Sequence, residues 1–222
     1  MDTNSIIDQA VWALLFFIPF LFALCFHEFA HGWVALKMGD PTAKAMGRLN
    51  LNPLSHADPI GTFLFPLVGL FSGIPMLGWA KPVPVDERNL RDPRRQMFWI
   101  ASAGPLSNIL LAFIGALLKV ILYMSEGLMD WRNSAGAFLQ VFIEINLILA
   151  LFNLIPVHPL DGGKVIARFI PHQWNRWLED NQTVISIGLI VIVFAGGFSF
   201  MGGIVRFYLA PAFQLIWEKV LL

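Results

Sequence analysis

From Ala10 to Phe26 the chain places seventeen apolar residues in succession, and the run continues to Leu36 broken only by His27, Glu28 and His31. As a helix, Ala10–Leu36 would be about 40 Å long, enough to cross a hydrocarbon core of roughly 30 Å. A soluble globule has no place for such an element. The composition agrees: 57% hydrophobic and 14% charged residues leave too few polar groups to coat a soluble domain of 222 residues. Fifteen Lys and Arg balance fifteen Asp and Glu, so the basic field of a nucleic-acid binder is missing and no nucleic-acid partner is expected. The single cysteine, Cys25, excludes an internal disulfide and a paired-thiolate metal site. A metal would have to be held by histidine and carboxylate.

The first run is not read as a cleavable signal peptide: Asp2 and Asp8 precede it, without Lys or Arg, and no small-residue cleavage site follows. Pro19 inside it is expected to kink the helix. Met97–Met124, Ala135–Pro156 and Val184–Val205 are further stretches long enough to span. Ile60–Ala80 is apolar but carries Gly61, Pro66, Gly69, Gly73, Pro75 and Gly78, a density that suits a re-entrant hairpin shielded by protein. Phe207–Trp217 is short, either interfacial or a further helix.

Basic residues near helix ends favour the cytoplasmic side. Eleven of the fifteen lie in three segments, Lys37–Asp58, Lys81–Arg95 and His158–Gln182, and all three fall on one side if Ile60–Ala80 is re-entrant. The expectation is one membrane-embedded domain over residues 1–222, an all-α polytopic protein of four to six transmembrane helices. Its N-terminus lies outside, in the plasma (inner) membrane of a prokaryote, and the lipid bilayer surrounds it.

Within the first span, His27-Glu28-Phe29-Ala30-His31 fits H-E-x-x-H. Histidines four apart project from one helix face and can bind one metal, while the neighbouring Glu reaches a metal-bound water. Packing for structure alone is a poor account, since an ionisable residue inside a membrane costs about 2.5–3.5 kcal/mol or more. A catalytic zinc needs at least a third protein ligand. The best candidate is Asp161 in the stretch Asn153-Leu154-Ile155-Pro156-Val157-His158-Pro159-Leu160-Asp161-Gly162-Gly163, which reaches the depth of His31 on the same membrane face if Ile60–Ala80 is re-entrant. An ordinary turn is the other reading of Asp-Gly-Gly.

The segment Trp79–Val85 alternates as a strand would, with Pro82 and Pro84 allowing an edge but not a central position. A short membrane-edge β-strand here, carrying Trp79, Lys81 and Val83, would bind substrate as an added strand; a simple interfacial loop is the alternative. Asn146 and Asn153, seven apart, share nearly one helix face; Asn108 reads as packing or as a substrate contact. His158 is read as a solvated interfacial residue, with ligation of the metal or a hydrogen bond to a metal-ligating side chain as alternatives. His56 and Asp58 are expected to fix their loop or to orient a metal-bound imidazole from behind, His172 to anchor at the interface, and Glu144 has no visible partner.

These motifs together resemble the site-2 protease family of intramembrane zinc metalloproteases. The resemblance rests on the H-E-x-x-H helix within Phe26–Asp40, Gly47-Arg48-Leu49-Asn50-Leu51-Asn52-Pro53, His56 to Thr62, Gly78 to Val85, Ala103-Gly104-Pro105-Leu106-Ser107-Asn108, and Asn146 through Gly163. It implies His27, His31 and Asp161 as zinc ligands, Glu28 as the catalytic carboxylate, and Asn153 near the zinc, where it holds a substrate carbonyl. It also implies hydrolysis of peptide bonds in membrane-spanning or membrane-proximal protein substrates, at a site toward the cytoplasm. Neither a PDZ nor a nucleotide-sensing CBS module is visible, which leaves regulation to a separate protein. His158 departs from the family's usual apolar residue or proline. The runner-up readings are a zinc protease with a Glu as third ligand, and a membrane zinc transporter or other zinc-binding membrane protein without enzymatic activity.

Overall fold

The computed structural model describes residues 3–72, 78–125 and 132–221. The first run forms α1, Thr3–Lys37, continuous through Pro19, with Lys37 in its last turn complementing the helix dipole. Gly39, at φ +108°, ends it: the Gly39 N–H donates to Leu36 O and the Asp40 N–H to Ala35 O, the paired bonds of a left-handed C-terminal cap.

Two short helices follow, α2 (Thr42–Ala45) and α3 (Pro53–His56). Asn52 caps α3, accepting from the Leu54 N–H. Asp58 accepts from the Ile60 and Gly61 N–H groups and starts a wide turn, Pro59–Leu64, that runs into α4, Phe65–Ser72. The chain then returns to where it left: the Trp79 N–H donates to Gly61 O at 3.2 Å and the Thr62 hydroxyl to Trp79 O at 2.8 Å. The stretch expected as a hairpin, Ile60–Ala80, therefore closes on itself, although its residues 73–77 lie outside the described ones. Among the described residues, the stretch expected to be a strand makes a single antiparallel bridge, Ala80 with Ala57. Pro82 and Pro84 carry no N–H with which to extend a ladder.

Asp92 caps α5, Pro93–Met124, with Pro93 in its first turn. α6 (Arg132–Asn153), α7 (Asp161–Ile166) and α8 (His172–Asp180) follow. The fourth expected span, Val184–Val205, is corrected. Gly196, at φ +110°, breaks it, so α9 (Gln182–Ile192) with its extension to Gly197 is one element. The helical stretch Ser199–Leu221, which contains α10 (Phe198–Ile204) from its second residue and α11 (Ala210–Leu221), is another. The short run Phe207–Trp217 is thereby part of a 23-residue span. Among the described residues, four helical stretches are long and apolar enough to cross a membrane, Ala13–Lys37, Pro93–Met124, Asn133–Asn153 and Ser199–Leu221, and α8 with α9 forms a pair bent by 69°. The chain is an all-α polytopic membrane protein.

α5 stands at the centre and packs against α1, α6, α7 and α11. Its lipid stripe, Leu106, Leu110, Ile114 and Leu118, is exposed at four-residue spacing, while small residues on the opposite side, Ala101, Ala112 and Ala116, are at most 2% exposed. Small side chains let helix backbones approach closely where burial from lipid supplies no hydrophobic gain. Glu144 on α6 does have a partner: Arg206 donates to it at 3.0 Å, and Gln140 and Lys119 extend the chain of polar contacts. That arrangement satisfies ionisable groups inside the apolar zone.

Candidate metal centre and active site

α1 and α5 run antiparallel, and their register decides the site. The His27 Nδ1–H donates to Asn108 Oδ1 and the His31 Nδ1–H donates to the Ile100 carbonyl, both at 2.7 Å. Ile100, Gly104 and Asn108 are spaced by four on one face of α5. With Nδ1 protonated and bonded outward, each imidazole keeps its Nε2 lone pair for the interior. The two Nε2 atoms are 3.0 Å apart, and Asp161 Oδ2 lies 3.1 Å from one and 3.2 Å from the other.

Three electron-pair donors thus converge with no hydrogen between the histidines, and Asp161 Oδ2 is a buried oxygen without a hydrogen-bond donor. A cation resolves that arrangement. Three ligands around a tetrahedral zinc at about 2.0 Å would stand roughly 3.3 Å from one another, close to the separations found. His27, His31 and Asp161 can therefore hold a metal ion.

Gly104 is the residue on which this packing depends. A Cβ there would lie 2.4 Å from His31 Nε2 and 2.6 Å from His27 Nε2, so only glycine lets α5 back onto the imidazole pair. The Asp-Gly-Gly turn works in the same way. A Cβ on Gly162 would meet the Ile155 carbonyl at 2.2 Å, and one on Gly163 the His158 nitrogen at 2.7 Å. Close approach, rather than positive φ, is what these two glycines supply, and it seats Asp161 at the start of α7.

A cavity of about 650 Å³ opens beside the three donors, lined also by Glu28, Trp79, Val83, Asn153 and His158. Glu28 Oε2 accepts the Val83 N–H at 2.7 Å, which ties the extended segment to the carboxylate. Arg48 holds the same segment from outside, donating to the Lys81 carbonyl at 2.8 Å, while the Lys81 N–H donates to His56 O. Trp79 is exposed and lines the cavity; Lys81 is exposed and does not. Asn153 lines it, its amide nitrogen donating to Leu149 O on its own helix.

Asn108 differs from the expected substrate contact. It is 0% exposed and stands behind His27, its amide nitrogen donating to Ala23 O and Asn146 Oδ1. The other asparagine of the α6 pair, Asn146, thus completes the support of His27. His56 is buried and donates through Nε2 to Asn50 O, and Asp58 caps its turn, so both fix the loop as expected. His158, expected to be solvated, is 7% exposed and bonded to Asn175. His172 meets the Arg94 guanidinium at 3.3 Å. Asp40 went unremarked in the sequence: it is 0% exposed and accepts from Thr42, Asn89 and the Asp86 N–H, joining the end of α1 to the loop before α5. The only signal was a Gly-Asp pair ending a helix.

The chain matches the model of Peptidase family M50 over residues 15–128 and 121–196. It is 42% identical over 156 residues to YwhC of Bacillus subtilis, covering 69% of this chain and 68% of that one. It is 26% identical over 176 residues to Rip2 of Mycobacterium tuberculosis (79% and 64%), and 24% identical over 195 residues to MJ0392 of Methanocaldococcus jannaschii (86% and 45%). The match spans under two thirds of the latter two, and the name of each of the three contains the words zinc metalloprotease. No solved structure matches significantly. A buried His2Asp donor set beside a carboxylate, in a helical membrane protein matched to this family model over most of its length, leads to one assignment: the chain belongs to peptidase family M50, the site-2 protease family of membrane zinc metalloproteases.

Proposed function

We propose that this chain hydrolyses peptide bonds of membrane-spanning or membrane-proximal protein substrates, with His27, His31 and Asp161 holding the zinc ion and Glu28 moving the proton. The observation that carries the reading is the meeting of α1 and α7 at one point, three donors within 4.8 Å of one another, in a cavity shared with Glu28. Zinc, when bound, supplies a Lewis acid that polarises the scissile carbonyl and acidifies water to a pKa of about 7. Glu28 Oε2 is engaged by the Val83 N–H, so Oε1 is the oxygen that takes a proton from the attacking water and delivers it to the leaving nitrogen. Asn153, on the cavity wall, is placed to hold the substrate carbonyl.

A substrate helix hides its carbonyls in its own hydrogen bonds, so cleavage requires an unwound stretch. The extended segment beside Glu28, with Trp79 and Val83, supports docking of that stretch as an added strand. The closure of Gly61 on Trp79 supports a re-entrant path for residues 60–80, which in turn supports a site facing the cytoplasm, on the side of the three basic segments. Asp161→Ala tests the ligand set: zinc content of the purified protein drops from one ion per chain to well below that. Undiminished zinc and activity in this variant would pass the third-ligand role to another residue, as in the reading with a Glu.

A further inference from the structure

We propose that His158 is a substrate-binding residue of this cavity, its Nδ1 accepting a hydrogen bond from a backbone N–H of the unwound substrate next to the scissile bond. The proposal rests on the reading of the cavity as the place where unwound peptide binds. Its basis is a chain of hydrogen bonds that sets the imidazole's tautomer. Asn175 Nδ2 donates to Glu179 Oε1 at 2.7 Å, which fixes the orientation of the Asn175 amide. Asn175 Oδ1 is therefore what His158 Nε2 meets, at 3.2 Å. An amide oxygen only accepts, so the hydrogen sits on Nε2 and Nδ1 of the neutral ring keeps its lone pair.

His158 is 7% exposed and lines the cavity with Glu28, Asn153 and Asp161, yet its Nδ1 has no partner among the described residues. It is not one of the three gathered metal donors. The backbone that carries the ring packs directly on Gly163, where a Cβ would come within 2.7 Å of the His158 nitrogen.

An unwound substrate brings unpaired N–H donors into the cavity, and leaving one buried without an acceptor lowers binding by roughly 5- to 150-fold. Several acceptors around the cavity already have other work. Glu28 carries the proton, Asp161 faces the metal donors, and the carbonyls of Lys81 and Pro82 are taken by Arg48. A neutral ring nitrogen is suited to the remaining role because it accepts an N–H without bringing a second negative charge beside Glu28.

The test uses a synthetic transmembrane peptide that the wild-type protein cleaves, made once with all amides and again as a series in which single amides near the cleavage point are replaced by esters. His158→Ala is expected to lower kcat/KM about tenfold on the all-amide peptide, with zinc content and Tm unchanged. At one ester position the wild type should fall by the same factor and His158→Ala no further. Asn175→Ala, which keeps the imidazole but frees its orientation, should show a smaller loss confined to the same position. Equal losses at every ester position, loss of zinc in His158→Ala, or an unchanged kcat/KM would overturn the proposal. Cleavage of the all-amide peptide by Glu28→Gln would instead overturn the reading on which it rests.

Discussion

Replacing Gly104 by alanine tests the packing that shapes the metal site without touching a ligand. The new Cβ would sit 2.4 Å from His31 Nε2 and 2.6 Å from His27 Nε2. Ordinary contact begins near 3.4 Å, so one imidazole or the α5 backbone must move by about 1 Å. The rings have little freedom, each being tied at Nδ1 by a 2.7 Å bond to α5 itself. Overpacking of this kind costs roughly 1–3 kcal/mol. Because the displaced atoms are the proposed ligands, most of that cost should appear in metal binding, as a zinc affinity about 5- to 150-fold weaker. The assay is competition with a chromophoric chelator in detergent, with the helical circular-dichroism signal and Tm recorded on the same samples. Gly188→Ala is the control, since a Cβ there meets nothing within 4 Å. Wild-type zinc affinity in a folded Gly104→Ala protein would show that the close approach at Gly104 does not shape the metal site.

Asn108→Ala should weaken zinc about 10- to 100-fold by releasing His27 Nδ1, measured by the same competition, and without the amide-specific substrate effect expected of a residue in the cleft. Arg206→Ala leaves Glu144 with the Gln140 amide but without its cationic partner in the apolar zone and should destabilise the fold by about 3 kcal/mol, seen as lower thermal stability in detergent; Glu144→Gln in the same chain should restore part of it. Burial raises the Asp40 carboxyl, but its bonds from Thr42, Asn89 and the Asp86 N–H more than reverse this and lower it. Its contribution is thus present above the unfolded value of about 3.9 and lost as pH falls through the folded one. Asp40→Asn should therefore reduce Tm at neutral pH, with the gap to wild type narrowing below about pH 4.

The parts of the site that were legible in the sequence are those fixed by local spacing or by topology. His27 and His31 lie one turn apart in a span, and an intramembrane Glu28 beside them points to chemistry. Asp161 follows from counting crossings, and the first three spans follow from hydropathy. What stayed hidden depends on which helix faces meet. Gly104 and Asn108 look like a generic Gly-Pro-x-x-Asn motif until the antiparallel register of α1 and α5 sets them behind the histidines. The break at Gly196 needed a positive φ that an otherwise apolar stretch does not announce. His158 carried a visible oddity, a polar residue in an apolar motif, but its partner Asn175 is seventeen residues away on an amphipathic helix whose fold-back hydropathy cannot reveal.

In the proposed mechanism Glu28 performs proton transfer beside a metal it does not hold. Zinc content and cleavage measured on a single preparation of Glu28→Gln address this directly. One zinc per chain is expected, as in wild type, with cleavage reduced by at least 10²- to 10⁴-fold. Full cleavage by that variant, or loss of its zinc, would contradict it.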